Sequence, residues 1–227
     1  MESNASGADG HIRLIDKPKG LSSFDVIRVL RRQTGIRKMG HAGTLDPLAT
    51  GLLIVAFGKA TKALHTLAKL PKIYDTEVLL GARTATGDRD GEVIERASVP
   101  EIEEKRIRKT LQEMKGVLIL PVPKYSAVKV GGRRLYDMAR RGETIQPPMR
   151  AMEVFRLELN GYRPLEDRAS WILDLTAEVA SGTYVRSLAE EIGKRLGFPA
   201  SIWELRRTSI GDFHVRDAEQ LIRPTAS

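Results

Sequence analysis

The sequence contains no cysteine among its 227 residues, which excludes disulfide bonds and thiolate metal sites. It also contains no run of about 18 apolar residues, so we predict no membrane-spanning helix. Residues 1–10 lack the basic and apolar regions of a signal peptide, and we expect them to form a disordered tail. These absences fit a cytoplasmic protein.

The sequence also has no internal repeat, no linker and no change of composition along its length. Hydrophobic residues make up 41% of the chain and charged residues 29%, which is typical of a globular protein. We therefore predict a single large domain over residues 11–227, long enough to bury a substantial core.

Acidic residues are too few to balance the basic ones. The sequence has 37 Lys and Arg but only 29 Asp and Glu, which gives a net charge of +8. The basic residues concentrate in two clusters, one of Arg28, Arg31, Arg32, Arg37 and Lys38 and one of Lys124, Lys129, Arg133, Arg134, Arg140 and Arg141. Clustered positive charge of this kind favours a nucleic acid as the partner, although a merely basic surface is the simpler alternative.

Hydrophobic periodicity predicts strands at 11–16, 72–81, 152–159 and 169–180. It predicts helices from Ser22 to Gly35 and over 60–70, 100–115, 133–141 and 183–196. Strands that alternate with helices and hairpins indicate an α+β fold around a mostly antiparallel sheet.

Two of these helices carry specific expectations about their buried faces. In the first, Ser22 and Asp25 have the spacing of a capping box, and we expect Phe24 to face inward with Ile27 and Leu30. In the helix over 133–141, we expect the ring of Tyr136 to face inward beside two apolar neighbours, Leu135 and Met138.

One stretch, residues 38–51, combines three glycines, one proline and a single acid, and it runs directly into the apolar segment 52–57. Pro47 excludes a regular helix or central strand here and favours an extended conformation for Asp46. The stretch therefore places Asp46 on a stiff irregular loop anchored by a buried strand, which would hold a carboxylate still. The alternative is an ordinary turn in which Asp46 or Thr44 caps backbone N–H groups.

The loop sequence Gly40-His41-Ala42-Gly43-Thr44-Leu45-Asp46-Pro47, followed by Thr50-Gly51-Leu52-Leu53, resembles the signature of the TruB-type tRNA pseudouridine synthases. Three further segments resemble other motifs of that family: residues 17–23, Tyr74 together with Thr86-Gly87-Asp88, and residues 182–188. The resemblance covers about 11–215. It implies a pseudouridine synthase fold, with a mixed, mostly antiparallel central sheet flanked by helices and a basic, lid-like insertion at 121–150 that clamps RNA.

The resemblance also implies roles for individual residues. Asp46 would be the catalytic residue, and Arg186 would form a salt bridge with it. Tyr74 would pack against one face of the flipped uracil and could accept the C5 proton, with Leu205 on the other side. His41 would fill the stack that the base leaves. We assign RNA binding also to Tyr184, Lys19, Arg133, Arg134 and Arg141.

The same residues have simpler interpretations without the family. Arg186 lies four residues before Glu190, an ordinary helical ion pair. Tyr74 could be an ordinary strand tyrosine, Leu205 a core leucine, and His41 a turn histidine bonded to backbone. The pair Asp88 and Asp90 resembles the start of a calcium loop, but the glutamate that would close a twelve-residue loop is missing.

The reaction that the resemblance implies is the isomerisation of uridine to pseudouridine at position 55, in the T-loop of tRNA. Breaking the bond between ribose C1′ and uracil N1 develops positive charge at C1′, which an ionised carboxylate stabilises. Asp46 would either attack C1′ or remove a C2′ proton. We expect no cofactor or metal, the tRNA T-arm as partner, no obligatory protein partner and a monomer.

One departure from the family concerns the region after Phe213. Family members usually carry a small C-terminal RNA-binding (PUA) domain there, whereas only a short tail follows here, and we expect weaker binding of the acceptor arm. Two alternative functions stay open. One is a tRNA-folding chaperone without catalysis, and the other is a guide-RNA-dependent synthase of the dyskerin type, which would need protein partners.

Overall fold

The computed structural model describes residues 10–166 and 169–222, so the predicted tail lies outside the described residues except for Gly10. The chain divides into two compact units. The first contains the residues up to Tyr74 together with those from Leu205 onward, and the second contains Asp75–Glu204.

The described residues form fourteen strands: β1 Ile12–Lys17, β2 Met39–His41, β3 Thr50–Phe57, β4 Lys72–Leu80, β5 Ala82–Thr84, β6 Val93–Arg96, β7 Gly116–Pro121, β8 Lys129–Val130, β9 Arg133–Arg134, β10 Met149–Pro164, β11 Trp171–Val179, β12 Ala200–Ile210, β13 Phe213–His214 and β14 Glu219–Gln220. They also form five α-helices: α1 Ser23–Thr34, α2 Leu64–Leu67, α3 Glu104–Glu113, α4 Leu135–Arg140 and α5 Val185–Leu196. Two 3₁₀ segments cover Gly58–Ala63 and Val215–Asp217. No helix of the described residues is both long and apolar enough to cross a bilayer.

The first unit is built on a mixed sheet in the order β14-β1-β3-β12-β4, to which β12 contributes its end and β4 its start. Strands β1 and β3 are antiparallel, with Ile12 opposite Ala56 and Lys17 opposite Gly51. The end of β12 runs parallel to the start of β3. Strand β3 is buried along almost its whole length, which explains its continuous apolar sequence. It therefore forms the rigid support of the loop that precedes it.

Helix α1 packs on this sheet and begins at a capping box, as predicted. The Ser22 hydroxyl accepts from the Asp25 N–H, and the Asp25 carboxylate accepts from the Ser22 N–H. The expectation for Phe24 was wrong, because its side chain is 55% exposed. Ile27 and Leu30 are buried as expected, and Val26 shares their stripe. At 100° per residue, Phe24 lies about 110° around the helix from the centre of the buried stripe.

The predicted helix over 60–70 is shorter than expected. A 3₁₀ segment covers Gly58–Ala63, and α2 adds a single turn before Pro71. Leu64, Leu67 and Leu70 are spaced by three residues, which fits three residues per turn, and all three pack against the same buried cluster.

The second unit contains the strand order β4-β11-β10-β7, in which β10 is antiparallel to both β11 and β7. Strands β10 and β11 lie where strands were predicted at 152–159 and 169–180, and they pair antiparallel over most of their length. Leu173, Leu175, Ala177 and Val179 of β11 are buried. Helix α3 packs against β10 and α5. The observed architecture confirms the predicted α+β class with a mostly antiparallel sheet.

Residues 121–150 form an excursion between β7 and β10. It contains the hairpin β8–β9, which turns at Gly131 and Gly132, and then α4. A small apolar cluster of Val122, Leu135 and Ile145 holds it together. The expectation for Tyr136 was wrong: its ring is 40% exposed, and its hydroxyl accepts a hydrogen bond from Arg140, whose guanidinium lies over the ring.

Candidate active site

The Asp46 loop connects β2 to β3 in the first unit, and its backbone is tied down on both sides of Asp46. The Leu45 N–H donates to the Ser23 hydroxyl at 2.8 Å, and that hydroxyl donates back to the Leu45 carbonyl at 3.2 Å. The Pro47 carbonyl accepts from the Gly20 N–H at 2.8 Å. Asp46 itself is half-buried, and its carbonyl accepts from the Ala49 N–H at 3.1 Å. The loop is therefore an ordered element.

Gly51 lets the backbone at the start of β3 approach β12 closely. At this residue, which has φ +99°, an added Cβ would lie 2.2 Å from the Arg207 carbonyl oxygen. At Gly43 an added Cβ would lie 3.5 Å from Arg207 Nη1, an ordinary contact distance, and the glycine there serves the positive φ of +85°. No larger side chain fits at Gly51 without moving β3 away from β12, which explains this glycine of the motif.

Three cationic side chains are buried around the loop: Lys17 of β1, Lys72 of β4 and Arg207 of β12. The Arg207 guanidinium donates from Nε to the Leu52 carbonyl at 2.8 Å and from Nη2 to the Gly43 carbonyl at 3.1 Å. Arg207 therefore ties the start of the loop to the strand that follows it. Such contacts satisfy the donors of a buried cation but do not neutralise its charge.

The two buried lysines have weakened basicity. Burial lowers the pKa of Lys17 to about 8, although the Asp46 carboxylate opposes this shift. Lys17 Nζ donates to the carbonyls of Leu21 at 2.6 Å and Pro18 at 3.0 Å. Burial and the positive charge of Arg207 lower the pKa of Lys72 to about 8. The charge of Asp46 is thus part of what keeps Lys17 protonated.

The remaining first-unit residues predicted from the family lie on well-ordered elements. His41 ends β2, and burial together with Arg207 lowers its pKa, so the imidazole is neutral at physiological pH. Tyr74 in β4 and Leu205 in β12 are 8% and 7% exposed. Lys19 lies half-buried in the turn between β1 and α1. All four belong to the unit that carries Asp46.

In the second unit, Arg186 lies in the first turn of α5 and is only 6% exposed. Its guanidinium donates from Nη1 to the Thr86 carbonyl at 2.7 Å and from Nη2 to the Tyr125 carbonyl at 3.0 Å. Burial raises the pKa of Glu190, and the charges of Arg83, Arg186 and Lys124 oppose the shift. The segments that hold Arg186 are those of the Thr86-Gly87-Asp88 motif and the 121–150 excursion. The Asp88 carboxylate accepts from the Thr86 hydroxyl at 2.6 Å and so stabilises the turn.

The predicted RNA-binding arginines lie in the excursion. Arg133, Arg134 and Arg141 line a groove of about 320 Å³ together with Lys129. Arg133 forms two hydrogen bonds with Glu143, at 2.9 and 2.8 Å, whereas Arg134 and Arg141 are exposed. Tyr184, predicted to bind RNA, immediately precedes α5 and packs against the apolar cluster of the excursion.

From the sequence, Lys17 and Ser23 were noted only as members of the motif-like segment 17–23, and Lys72 and Arg207 were missed. A signal was present for both of the missed residues. Lys72 lies two residues before Tyr74 and Arg207 two residues after Leu205, so each shares a strand face with a residue predicted to be buried. A charged residue on a buried strand face indicates a specific hydrogen-bonding role, because a buried charge without partners is costly.

Two solved structures have folds similar to that of the chain. One is a Cbf5-Nop10-Gar1 complex, with TM-score 0.67 and 27% identity over 95% of this chain and 53% of that one. The other is an H/ACA RNP bound to a substrate RNA containing 2′-deoxyuridine, with TM-score 0.65 and 25% identity over 92% of this chain and 50% of that one. The family profile described as "TruB family pseudouridylate synthase (N terminal domain)" matches residues 31–185. The chain belongs to this TruB family and is a pseudouridine synthase.

Relatives from several bacteria cover nearly the whole chain. The tRNA pseudouridine synthase B of Thermobifida fusca (strain YX) is 41% identical over 216 residues, which span 94% of this chain and 73% of that protein. The tRNA pseudouridine synthase B of Aquifex aeolicus (strain VF5) is 40% identical over 208 residues, which span 92% and 71%.

Proposed function

We propose that the chain converts uridine to pseudouridine in tRNA, at position 55 of the T-loop, with Asp46 as the catalytic residue. The observation that carries the proposal is the Asp46 loop itself. The family motif coincides with a half-buried carboxylate whose neighbouring residues are bonded on both sides. The names of the relatives, tRNA pseudouridine synthase B, support tRNA as the substrate.

In this mechanism the C1′–N1 bond breaks, the uracil rotates, and C5 bonds to C1′. The proton on C5 is lost and N1 gains one, so that the product is an isomer of the substrate. The Asp46 carboxylate stabilises the positive charge that develops at C1′, either by bonding to C1′ or by removing a C2′ proton. Arg186 serves as the counter-ion of that carboxylate in the proposal.

The target base must leave the RNA stack before it can react, at a cost of a few kcal/mol. In the proposal, His41 fills the space that the flipped base leaves in the stack, and its neutral imidazole suits stacking between bases. It assigns the two faces of the flipped uracil to Tyr74 and Leu205, both of them largely buried. An apolar enclosure keeps water from the reacting C1′.

The excursion over 121–150 is proposed to clamp the RNA. Arg134 and Arg141 are exposed on its basic groove, and they are the proposed phosphate contacts. Arg133 is held by Glu143 and is proposed to bind RNA after exchanging that partner. Lys19 and Tyr184 complete the proposed RNA-binding set.

The test is incubation of the purified chain with T-loop RNA that carries tritium at uridine C5, since isomerisation releases that tritium to water. We expect release by the chain alone, complete loss of release in Asp46→Asn, and unchanged RNA affinity in that variant. Asp212→Asn, which changes an exposed carboxylate, serves as the control. Release by Asp46→Asn at the wild-type rate would refute the assignment.

A guide-dependent activity is the second candidate, and the likeness to the Cbf5-Nop10-Gar1 complex favours it. The same assay separates the candidates. An enzyme that needs a guide RNA and partner proteins releases little tritium without them, whereas a chaperone releases none under any condition. We expect full release without added components.

A further inference from the structure

We propose that Ser23 is a positioning residue for the Asp46 carboxylate, acting through the backbone of Leu45. The inference rests on the proposed function of Asp46 and adds a residue to it. Ser23 does not reach the substrate in this proposal. Its hydroxyl fixes the peptide groups from which the Asp46 side chain projects.

The contact is reciprocal and buried. The Ser23 hydroxyl accepts from the Leu45 N–H at 2.8 Å and donates to the Leu45 carbonyl at 3.2 Å. Ser23 is 1% exposed and Leu45 is 3% exposed. One hydroxyl thus satisfies both backbone groups of one residue, and water does not compete for either. Because a peptide group is planar, fixing the Leu45 carbonyl also fixes the direction of the Asp46 N–H.

A second attachment lies on the other side of Asp46. The Pro47 carbonyl accepts from the Gly20 N–H at 2.8 Å, and Lys17 Nζ lies 3.5 Å from the same oxygen. The residues immediately before and after Asp46 are therefore both bonded to one segment, residues 17–23. With its two neighbours fixed, Asp46 keeps little freedom to rotate its backbone.

Ser23 is itself held in place by the start of α1. It is the first residue of the helix, directly after the Ser22 cap. The capping box between Ser22 and Asp25 fixes the first turn, and this turn sets the position from which the Ser23 side chain points to Leu45. The attachment thus transmits the rigidity of a helix terminus to a loop that has no regular structure.

Loss of the hydroxyl should affect the chemical step more than binding. A catalytic group displaced by about 1 Å can cost on the order of 100-fold in rate. RNA contacts made by other residues would stay intact. We therefore expect Ser23→Ala to lower kcat by about 10- to 100-fold while KM for T-loop RNA changes by less than about twofold.

The control is Ser201→Ala. Ser201 is also fully buried, and its hydroxyl donates to one backbone carbonyl, that of Ala82, at 3.1 Å. Both substitutions remove a buried hydroxyl, and so both should lower Tm. Ser23→Cys, which keeps a side chain of similar size with a weaker donor and acceptor, should give an intermediate kcat. If Ser23→Ala does not fold, Ser23→Cys replaces it in the comparison.

The experiment measures tritium release and backbone hydrogen exchange in all four proteins. We expect the Leu45 amide to exchange at least about tenfold faster in Ser23→Ala, since the hydroxyl that accepts from it is gone. We expect kcat to fall only in the Ser23 variants. Unchanged exchange at Leu45 overturns the inference. So does faster exchange with kcat equal to that of Ser201→Ala. Absence of release by the wild-type chain would instead refute the proposed function.

Discussion

Gly51→Ala tests the close approach of β3 to β12. The added Cβ would lie 2.2 Å from the Arg207 carbonyl oxygen, 2.8 Å from its backbone nitrogen and 3.0 Å from its carbonyl carbon. These are backbone atoms within a sheet, so they cannot rotate away as a flexible side chain would. The two strands must separate locally, and the Arg207 guanidinium would then lose its position beside the Leu52 and Gly43 carbonyls.

The expected cost is the sum of two contributions. Overpacking that shifts backbone costs roughly 1–3 kcal/mol. A positive φ, here +99°, adds about 1–2 kcal/mol for a residue with a Cβ. We expect the free energy of unfolding to fall by about 2–5 kcal/mol, a large part of the roughly 5–15 kcal/mol that stabilises a typical domain.

The measurement is urea denaturation of the wild-type chain and two variants. Gly116→Ala is the matched control, because Gly116 has φ +96° and no atom within 4 Å of an added Cβ. The free energy of unfolding of Gly116→Ala should fall only by the backbone strain of about 1–2 kcal/mol. With an m value of about 2 kcal/mol/M, Gly51→Ala should unfold at a urea concentration about 1–2.5 M below wild type. Equal midpoints for the two variants would show that the close approach is unimportant.

Three further predictions concern single side chains. The folded pKa of Lys72, about 8, lies below its unfolded value, so the unfolded chain binds more protons between pH 8 and 10.5 and stability rises with pH in that range. Lys72→Met should remove this increase in the free energy of unfolding. Parallel plots of that free energy against pH for wild type and variant would contradict this. Ser22→Ala should cost about 1 kcal/mol of stability by removing the α1 cap, and an unchanged Tm would exclude that role. Arg134→Ala should weaken RNA binding and reduce the salt slope of log K by about 1, measured by filter binding; an unchanged slope would show that Arg134 contacts no phosphate.

The sequence was informative where local chemistry decides structure. The capping box of Ser22 and Asp25 and the alternation along β11 both predicted what the structure shows. Hydrophobic periodicity predicted the wrong orientation for residues that lie at the edge of the apolar face of a helix. Phe24 and Tyr136 are apolar enough to suggest burial, but neither projects toward a core, and both pack against arginines instead.

The supports of the Asp46 loop could not be predicted from the residues alone. Ser23 and Leu45 are 22 positions apart, and Arg207 and Leu52 are 155 apart. Such pairs depend on how the strands are ordered, which hydrophobic periodicity does not reveal. The family resemblance supplied Asp46, Tyr74 and Arg186 as candidates, and their roles stay predictions.

The position of β12 has a consequence for biosynthesis. Within the first unit this late strand lies between β3 and β4, which leave the ribosome far earlier. Until β12 has been synthesised, the nascent protein exposes two unpaired strand edges. The Gly43 carbonyl also lacks its hydrogen bond from Arg207, which lies more than 160 residues further along the chain. Contacts of this sequence separation form slowly. We therefore expect the chain to become catalytically competent only after β12 has left the ribosome.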